Sequence, residues 1–203
     1  KYIEGWKKIH PDFEIIEWNE DNFDLNQYDY VKEAYKAKRY AFVTDVVRLY
    51  ALYTEGGIYM DTDVELIKPL DDFLDNEAFT GCERKDMCVT GLMASKPRGK
   101  VGLTTNTSVI TDITKNKFGW KEINTTQYLK DVTIYASDFF CAKSYKTGKL
   151  HLTENTHAIH HFNASWKTPQ EKIKSKILDT LKFIIITIFG EKLFNKINKA
   201  TRK

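Results

Sequence analysis

The chain has 203 residues, 42% hydrophobic and 29% charged, with a formal net charge of +3; this fits an ordinary globular protein of one domain and a small appendage. The charge is uneven, because residues 171–203 hold nine Lys or Arg against three Asp or Glu and the remainder is mildly acidic. A mildly acidic body argues against a nucleic-acid-binding core, so nucleic acid is not an expected partner.

Three cysteines bear on the compartment: Cys82, Cys88 and Cys141. Their number is odd and no Cys-x-x-Cys pair occurs, which argues against a disulfide framework and against a structural zinc site. A reducing, cytoplasmic location is therefore predicted. The chain starts at Lys1 within a predicted helix, and we expect that an N-terminal piece is missing.

In chain order, residues 1–10 are predicted to end a helix and residues 13–18 to form a strand. Apolar residues at helical spacing predict a long helix over about 31–54. Gly56 and Gly57 follow it, as glycine does at the C-terminal end of many helices.

The rest of the chain alternates between strands and helices. Strands are predicted at residues 58–60, 78–82, 88–95, 132–135 and 158–162. A helix is predicted near 101–114, and an amphipathic helix from 171 to about 199. This alternation predicts an α/β fold with a mostly parallel central sheet.

Two carboxylates, Asp61 and Asp63, come directly after the short apolar strand 58–60. Ligands of open α/β sheets bind at the carboxyl ends of strands. An Asp-x-Asp pair there can bind Mg²⁺ or Mn²⁺, which prefer oxygen ligands and accept phosphate oxygens as further ligands. The alternative is two aspartates in an ordinary surface turn.

The helix before this strand carries Asp45 and Arg48, which lie three residues apart and so share one helix face. One interpretation is a local ion pair. The other is functional: the Asp45 carboxylate accepts hydrogen bonds from sugar hydroxyls, and Arg48 lies near phosphate oxygens.

The third candidate segment runs from His160 to Trp166, with the sequence His-His-Phe-Asn-Ala-Ser-Trp. Its histidines fit either a packing role or the completion of a metal site, with Ser165 and Trp166 near the diphosphate.

Taken together, these motifs resemble the family 32 glycosyltransferases with the DXD sugar-binding region, to which capsular and O-antigen polysaccharide enzymes and fungal mannosyltransferases belong. The resemblance rests on four segments in order. They are the opening Trp6–Asn19, Thr44-Asp45-x-x-Arg48-Leu49-Tyr50, Gly56-Gly57-x-Tyr59-x-Asp61-x-Asp63 and the late His160–Trp166. Thr90 stands where many members have an Asn near the donor sugar.

The resemblance implies a GT-A fold, a Rossmann-like α/β sandwich, over a catalytic domain of residues 1–168. It implies a nucleotide-sugar donor, Mn²⁺ or Mg²⁺, and transfer of a hexose-type sugar with retention to a glycan or lipid-linked acceptor in surface polysaccharide synthesis. The implied residues, by role, are the following. Catalysis falls to Asp61, Asp63 and Arg48; donor binding to Asp45, Arg48, Tyr59, Asp61, Ser165 and Trp166; metal binding to Asp61, Asp63 and His161, with His160 as the alternative.

Two other functions remain open at this point. A haloacid-dehalogenase-type phosphatase also places an Asp-x-Asp after an apolar strand, and Asp61 would then be the nucleophile. That motif normally opens its domain, whereas some sixty residues precede it here. The second alternative is a non-catalytic sugar-binding domain, because a fold alone does not establish activity.

The tail, residues 169–203, is predicted to be a basic amphipathic helix. Its longest apolar run, 183–189, is too short for a bilayer, which needs about 20 residues. The helix could therefore dock on the catalytic domain, or lie as a peripheral anchor on the inner face of the membrane, near lipid-linked acceptors.

Overall fold

This computed structural model describes residues 1–98, 107–145, 147–163 and positions 170, 173, 174, 177, 178 and 180. Within these residues, a mixed β-sheet of five strands lies at the centre of the fold. Its strands are β1 (Gly57–Met60), β3 (Ala78–Arg84), β4 (Met87–Ser95), β5 (Gln127–Tyr128) and β6 (Thr133–Tyr135), in the order β1-β4-β3-β6-β5. A separate antiparallel pair joins β2 (Val64–Leu66) to β7 (Ala158–His160).

The α/β class is confirmed, but the prediction of a mostly parallel sheet is wrong. Within the described sheet only β3 and β6 run parallel; the pairs β1–β4, β3–β4 and β5–β6 are antiparallel. The reason lies in the connection between β3 and β4, which is only Lys85 and Asp86. Two residues can close a hairpin, whereas a parallel crossover needs a dozen or more.

The helices are α1 (Tyr2–Ile9), α2 (Asp29–Lys36), α3 (Tyr40–Thr54), α4 (Thr107–Phe118) and α5 (Ser137–Phe140), with a short 3₁₀ turn at Asp71–Phe73. The single helix predicted over 31–54 is thus two helices. Lys38 separates them with a backbone φ of 55°, in the left-handed region that ends helices. The strand predicted at 13–18 is also wrong, because these residues have no strand assignment.

Both faces of the central sheet are covered. On one face α3 and α4 pack on a core that includes Leu52, Met93 and Trp120. On the other face, α1, α5 and the β2–β7 pair surround an aromatic core that contains Phe73 and Phe140. The Trp6 indole Nε1–H donates to the Val64 carbonyl over 2.9 Å, which ties α1 to the start of β2. The strand ends that carry the aspartates are therefore held from both sides.

The chain divides into two compact units, Lys1–Phe162 and Asn163–Lys203. In the second unit the described positions 170, 173, 174, 177, 178 and 180 have helical backbone. The other tail residues lie outside the described part of the chain, so the predicted amphipathic helix stays a prediction. No helix within the described ranges has the length and apolar character that crossing a membrane requires.

Candidate metal centre

The two aspartates lie at the end of β1, where the chain turns into β2. The Asp61 N–H donates to the Gly91 carbonyl over 2.8 Å, which extends the ladder between β1 and β4. The Val64 N–H then donates to the Asp61 carbonyl over 2.9 Å and closes a turn. Both carboxylates are only partly exposed, with 26% of the Asp61 side chain and 17% of the Asp63 side chain accessible.

His160 completes a three-residue cluster with these carboxylates. Its Nε2 lies 3.3 Å from Asp63 Oδ1 and 3.9 Å from Asp61 Oδ2. The β2–β7 register creates this proximity, because it places His160 directly opposite Val64, the residue after Asp63. The three side chains offer donor atoms that all lie within 4.8 Å of one another.

His161, the metal ligand that the resemblance implies, lies elsewhere. Its Nε2 is 2.7 Å from Glu65 Oε2, and its ring stacks on Tyr2 with the centroids 5.0 Å apart. β7 ends at His160, and the His161 side chain beyond it contacts Glu65 and Tyr2 instead of the aspartates. The geometry therefore favours His160, the alternative, over His161. His161 contributes through its backbone, whose N–H donates to the Asp63 carbonyl over 3.0 Å.

This donor set suits a divalent cation. Two carboxylates and one imidazole match the oxygen preference of Mg²⁺ and Mn²⁺ and leave positions open for phosphate oxygens or water. The local charge points the same way, since the carboxylates of Asp45 and Asp61 share the single guanidinium of Arg48. A divalent cation would balance the remaining negative charge.

Arg48 lies behind the cluster and supports it. Its guanidinium donates from Nη1 to the Thr90 carbonyl over 2.8 Å, while Nη2 lies 3.1 Å from Asp45 Oδ1 and 3.6 Å from Asp61 Oδ1. The residue is buried, with 7% of its surface exposed. The ion pair with Asp45 therefore exists, and the same guanidinium also positions Asp61.

Tyr59 holds the same carboxylate from another direction. Its hydroxyl donates to Asp61 Oδ1 over 2.7 Å, and its ring lies 5.0 Å from the Arg48 guanidinium carbon. Burial, with the nearby Asp61 carboxylate, raises the pKa of Tyr59, so the phenol stays protonated and donates at neutral pH. Arg48 and Tyr59 together fix one oxygen of Asp61 and leave Oδ2 on the His160 side.

The carboxyl group of Asp45 has a shifted pKa. Burial raises its pKa to about 6; Arg48 opposes this effect, and the Asp61 charge adds to it. Its side chain is 21% exposed, so a ligand hydroxyl can reach the carboxyl group.

A bulge in β4 supplies two backbone carbonyls to the site: that of Thr90, which accepts from Arg48, and that of Gly91, which accepts from the Asp61 N–H. The sequence-based prediction included neither contact. Thr80 pairs with Met93 and Cys82 with Cys88, so the segment 89–92 bulges out of the β3–β4 ladder. The Thr80 hydroxyl lies 2.7 Å from the Val89 carbonyl and 2.9 Å from the Leu92 carbonyl and holds the bulge together. Bulges commonly re-aim groups beside active sites. A glycine inside a predicted strand is the sequence signal for such a feature.

The bulge brings Gly91 against two of the candidate metal ligands. A Cβ atom at this position would lie 2.8 Å from His160 Cε1 and 3.2 Å from Asp61 Oδ2. Only a residue without a side chain fits there unless the ligands move. Ser165 and Trp166, the remaining predicted donor-binding residues, lie outside the described part of the chain.

The region that contains the two aspartates is similar to known proteins. Residues 1–80 match the family model described as a glycosyltransferase sugar-binding region containing DXD motif. Inositol phosphoceramide mannosyltransferase 3 of Schizosaccharomyces pombe is similar, with 36% identity over 70 residues. That match covers 32% of this chain and 20% of the yeast protein, so the matched part spans about a fifth of the relative's length.

No solved structure matches the chain with statistical significance. The matched segment ends after β3 begins and contains both aspartates of the cluster. Residues 1–80 are therefore similar to the sugar-binding region of the DXD-containing glycosyltransferases, and Asp61 and Asp63 form the Asp-x-Asp pair of that segment.

Proposed function

We propose that this protein is a metal-dependent glycosyltransferase that takes a hexose-type sugar from a nucleotide-diphosphate sugar. The observation that carries the proposal is the cluster of Asp61, Asp63 and His160, whose donor atoms lie within 4.8 Å of one another inside or beside the matched DXD region. Of the chemistries considered, this donor set fits the binding of a cation that accompanies a diphosphate.

Each residue has a proposed role. Asp61, Asp63 and His160 would hold Mn²⁺ or Mg²⁺, and that cation supplies charge neutralisation to a departing diphosphate. Arg48 and Tyr59 keep Asp61 in place through its Oδ1 atom. The accessible part of Asp45 would accept hydrogen bonds from donor-sugar hydroxyls. Preorganised groups of this kind stabilise charge without rearranging during the reaction.

We also propose three further features: retention of the anomeric configuration, a GT-A type fold, and a glycan or lipid-linked acceptor. The family resemblance supports the first two. The yeast relative is named as a mannosyltransferase of inositol phosphoceramide, which supports a hexose donor and a lipid-linked acceptor. We further propose that the acceptor belongs to surface polysaccharide synthesis and that the basic tail, 171–199, contacts an anionic membrane. Sedimentation with anionic vesicles, with and without residues 170–203, tests the tail.

The phosphatase alternative makes Asp61 a nucleophile. Its Oδ1 already accepts a hydrogen bond from Tyr59 and lies beside Arg48, which suits a fixed ligand. Measuring turnover of two sets of substrates separates the two functions. One set is UDP- and GDP-hexoses and the other is aryl phosphates, each with Mn²⁺ or Mg²⁺.

We expect metal-dependent release of sugar from at least one nucleotide sugar, and its loss in Asp63→Asn. Asp112→Asn, which changes an exposed aspartate on α4, is the matched control and should keep the activity. Turnover of aryl phosphates without any sugar-nucleotide hydrolysis would contradict the transferase and favour the phosphatase.

A further inference from the structure

A ladder of aromatic rings leads from the metal centre to the surface. The Phe162 ring lies against the His160 imidazole, with the centroids 4.1 Å apart and an interplanar angle of 32°. The Tyr145 ring meets Phe162 edge to face at 5.3 Å. Tyr145 is 59% exposed, so the ladder ends in a ring that is open to solvent.

The backbone at Phe162 is unusual. Its φ is 56°, in the left-handed region that a bulky aromatic residue rarely adopts. Such residues cluster at functional sites, where the surrounding contacts hold them in place. Here the left-handed residue comes directly after His161 and carries the ring that covers the proposed metal ligand, so the strained residue belongs to the edge of the site.

The segment that carries Tyr145 is anchored to the same place. The Lys143 ammonium donates to the His161 carbonyl over 3.1 Å, and Lys143 pairs with Leu150 across an antiparallel bridge. Within the turn, the Gly148 N–H donates to the Ser144 carbonyl over 2.8 Å. Tyr145 therefore stands beside the metal centre on a hydrogen-bonded turn that is fixed to the end of β7.

We propose that Phe162 and Tyr145 form an aromatic platform that binds a hexose ring of the acceptor glycan beside the metal centre. The identity of the ligand rests on the proposed transferase function. In the proposed function, the charged diphosphate of the donor would bind to the cation that the aspartates hold. An uncharged glycan instead needs apolar contact for its C–H face, and rigid aromatic rings supply such contact at a small entropy cost. Because Tyr145 is exposed, the rest of a long acceptor can remain in solvent.

Ligand-observed saturation-transfer NMR tests the platform without requiring turnover. The probes are the methyl glycosides of glucose, galactose and mannose in both anomeric forms, and, separately, UDP and GDP. We expect saturation of the C–H protons of at least one hexoside by the unaltered protein. Tyr145→Ala should weaken that hexoside's binding by about three- to tenfold, the range of an aromatic contact. Tyr145→Phe keeps the ring and should keep the binding.

Tyr128→Ala is the matched control, because Tyr128 is a 79% exposed tyrosine on β5, away from the ladder, and its loss should not affect the hexoside. Absence of hexoside binding by the unaltered protein, or equal binding by Tyr145→Ala, would overturn the proposal. Loss of only the UDP or GDP signal would also overturn it, because the ring would then stack on the donor base. Hexoside binding requires neither metal nor donor, so it would uphold the platform even in a protein that turns over no nucleotide sugar.

Discussion

Replacement of Gly91 by alanine tests how closely the candidate metal centre is packed. The new methyl carbon would lie 2.8 Å from His160 Cε1, 3.0 Å from His160 Nδ1 and 3.2 Å from Asp61 Oδ2. The first of these distances is shorter than carbon atoms tolerate, so the imidazole or the bulge must shift. All three atoms belong to His160 and Asp61, which would hold the cation.

Two effects of measurable size follow. Adding a methyl group to a closely packed site costs about 1–3 kcal/mol of the free energy of unfolding. Displacing ligands by a fraction of an ångström should weaken Mn²⁺ binding by about 10- to 100-fold, as changes beside metal ligands do. In a His160→Ala background the main clash is absent, so Gly91→Ala should cost less there, with a coupling of about 0.5–3 kcal/mol.

The assay combines urea unfolding with Mn²⁺ titration followed by electron paramagnetic resonance. Gly5→Ala is the control, because a Cβ at Gly5, inside α1, meets nothing within 4 Å. That change should raise the free energy of unfolding by about 0.5–1 kcal/mol and leave Mn²⁺ affinity unchanged. Unaltered stability and Mn²⁺ affinity in Gly91→Ala would refute the packing described for this site.

Two further predictions concern the residues behind the ligands. Arg48→Lys keeps the charge, but a lysine cannot reach Asp45, Asp61 and the Thr90 carbonyl together. We expect the free energy of unfolding in urea to fall by about 1–3 kcal/mol and turnover to fall as well. A free energy of unfolding and a turnover equal to those of the unaltered protein would contradict this. In the metal-free protein the folded state holds the Asp45 proton more tightly than the unfolded state, because its pKa is raised from 3.8 to about 6. The stability of the protein relative to Asp45→Asn should therefore fall as pH rises through this interval, by on the order of 3 kcal/mol; a difference that rises with pH would contradict it.

Local sequence patterns predicted most of the elements near the site. The strands β1, β3, β4 and β6 and the helix α1 lie within a few residues of their predicted ranges. The position of Asp61 and Asp63 at a strand end followed from the same kind of pattern. Such signals are local because each depends on neighbouring residues of one element.

What the sequence could not predict depends on contacts between distant segments. The antiparallel direction of β4 follows from a two-residue hairpin, and His160 reaches the aspartates because the end of β7 lies beside the turn that carries them. The buried position of Arg48 likewise depends on the Thr90 carbonyl in the bulge of β4.

The most direct test of the account is the Mn²⁺ affinity of four proteins: the unaltered chain, Asp63→Asn, His160→Gln and His161→Gln. The three-residue centre predicts that the first two substitutions weaken binding by at least about tenfold, because each removes a ligand. His161→Gln should bind Mn²⁺ like the unaltered chain, since the His161 side chain contacts Glu65 and Tyr2 rather than the aspartates. Unchanged affinity in His160→Gln together with a loss in His161→Gln would contradict the assignment, and Mn²⁺ binding that survives Asp63→Asn would contradict the metal centre itself.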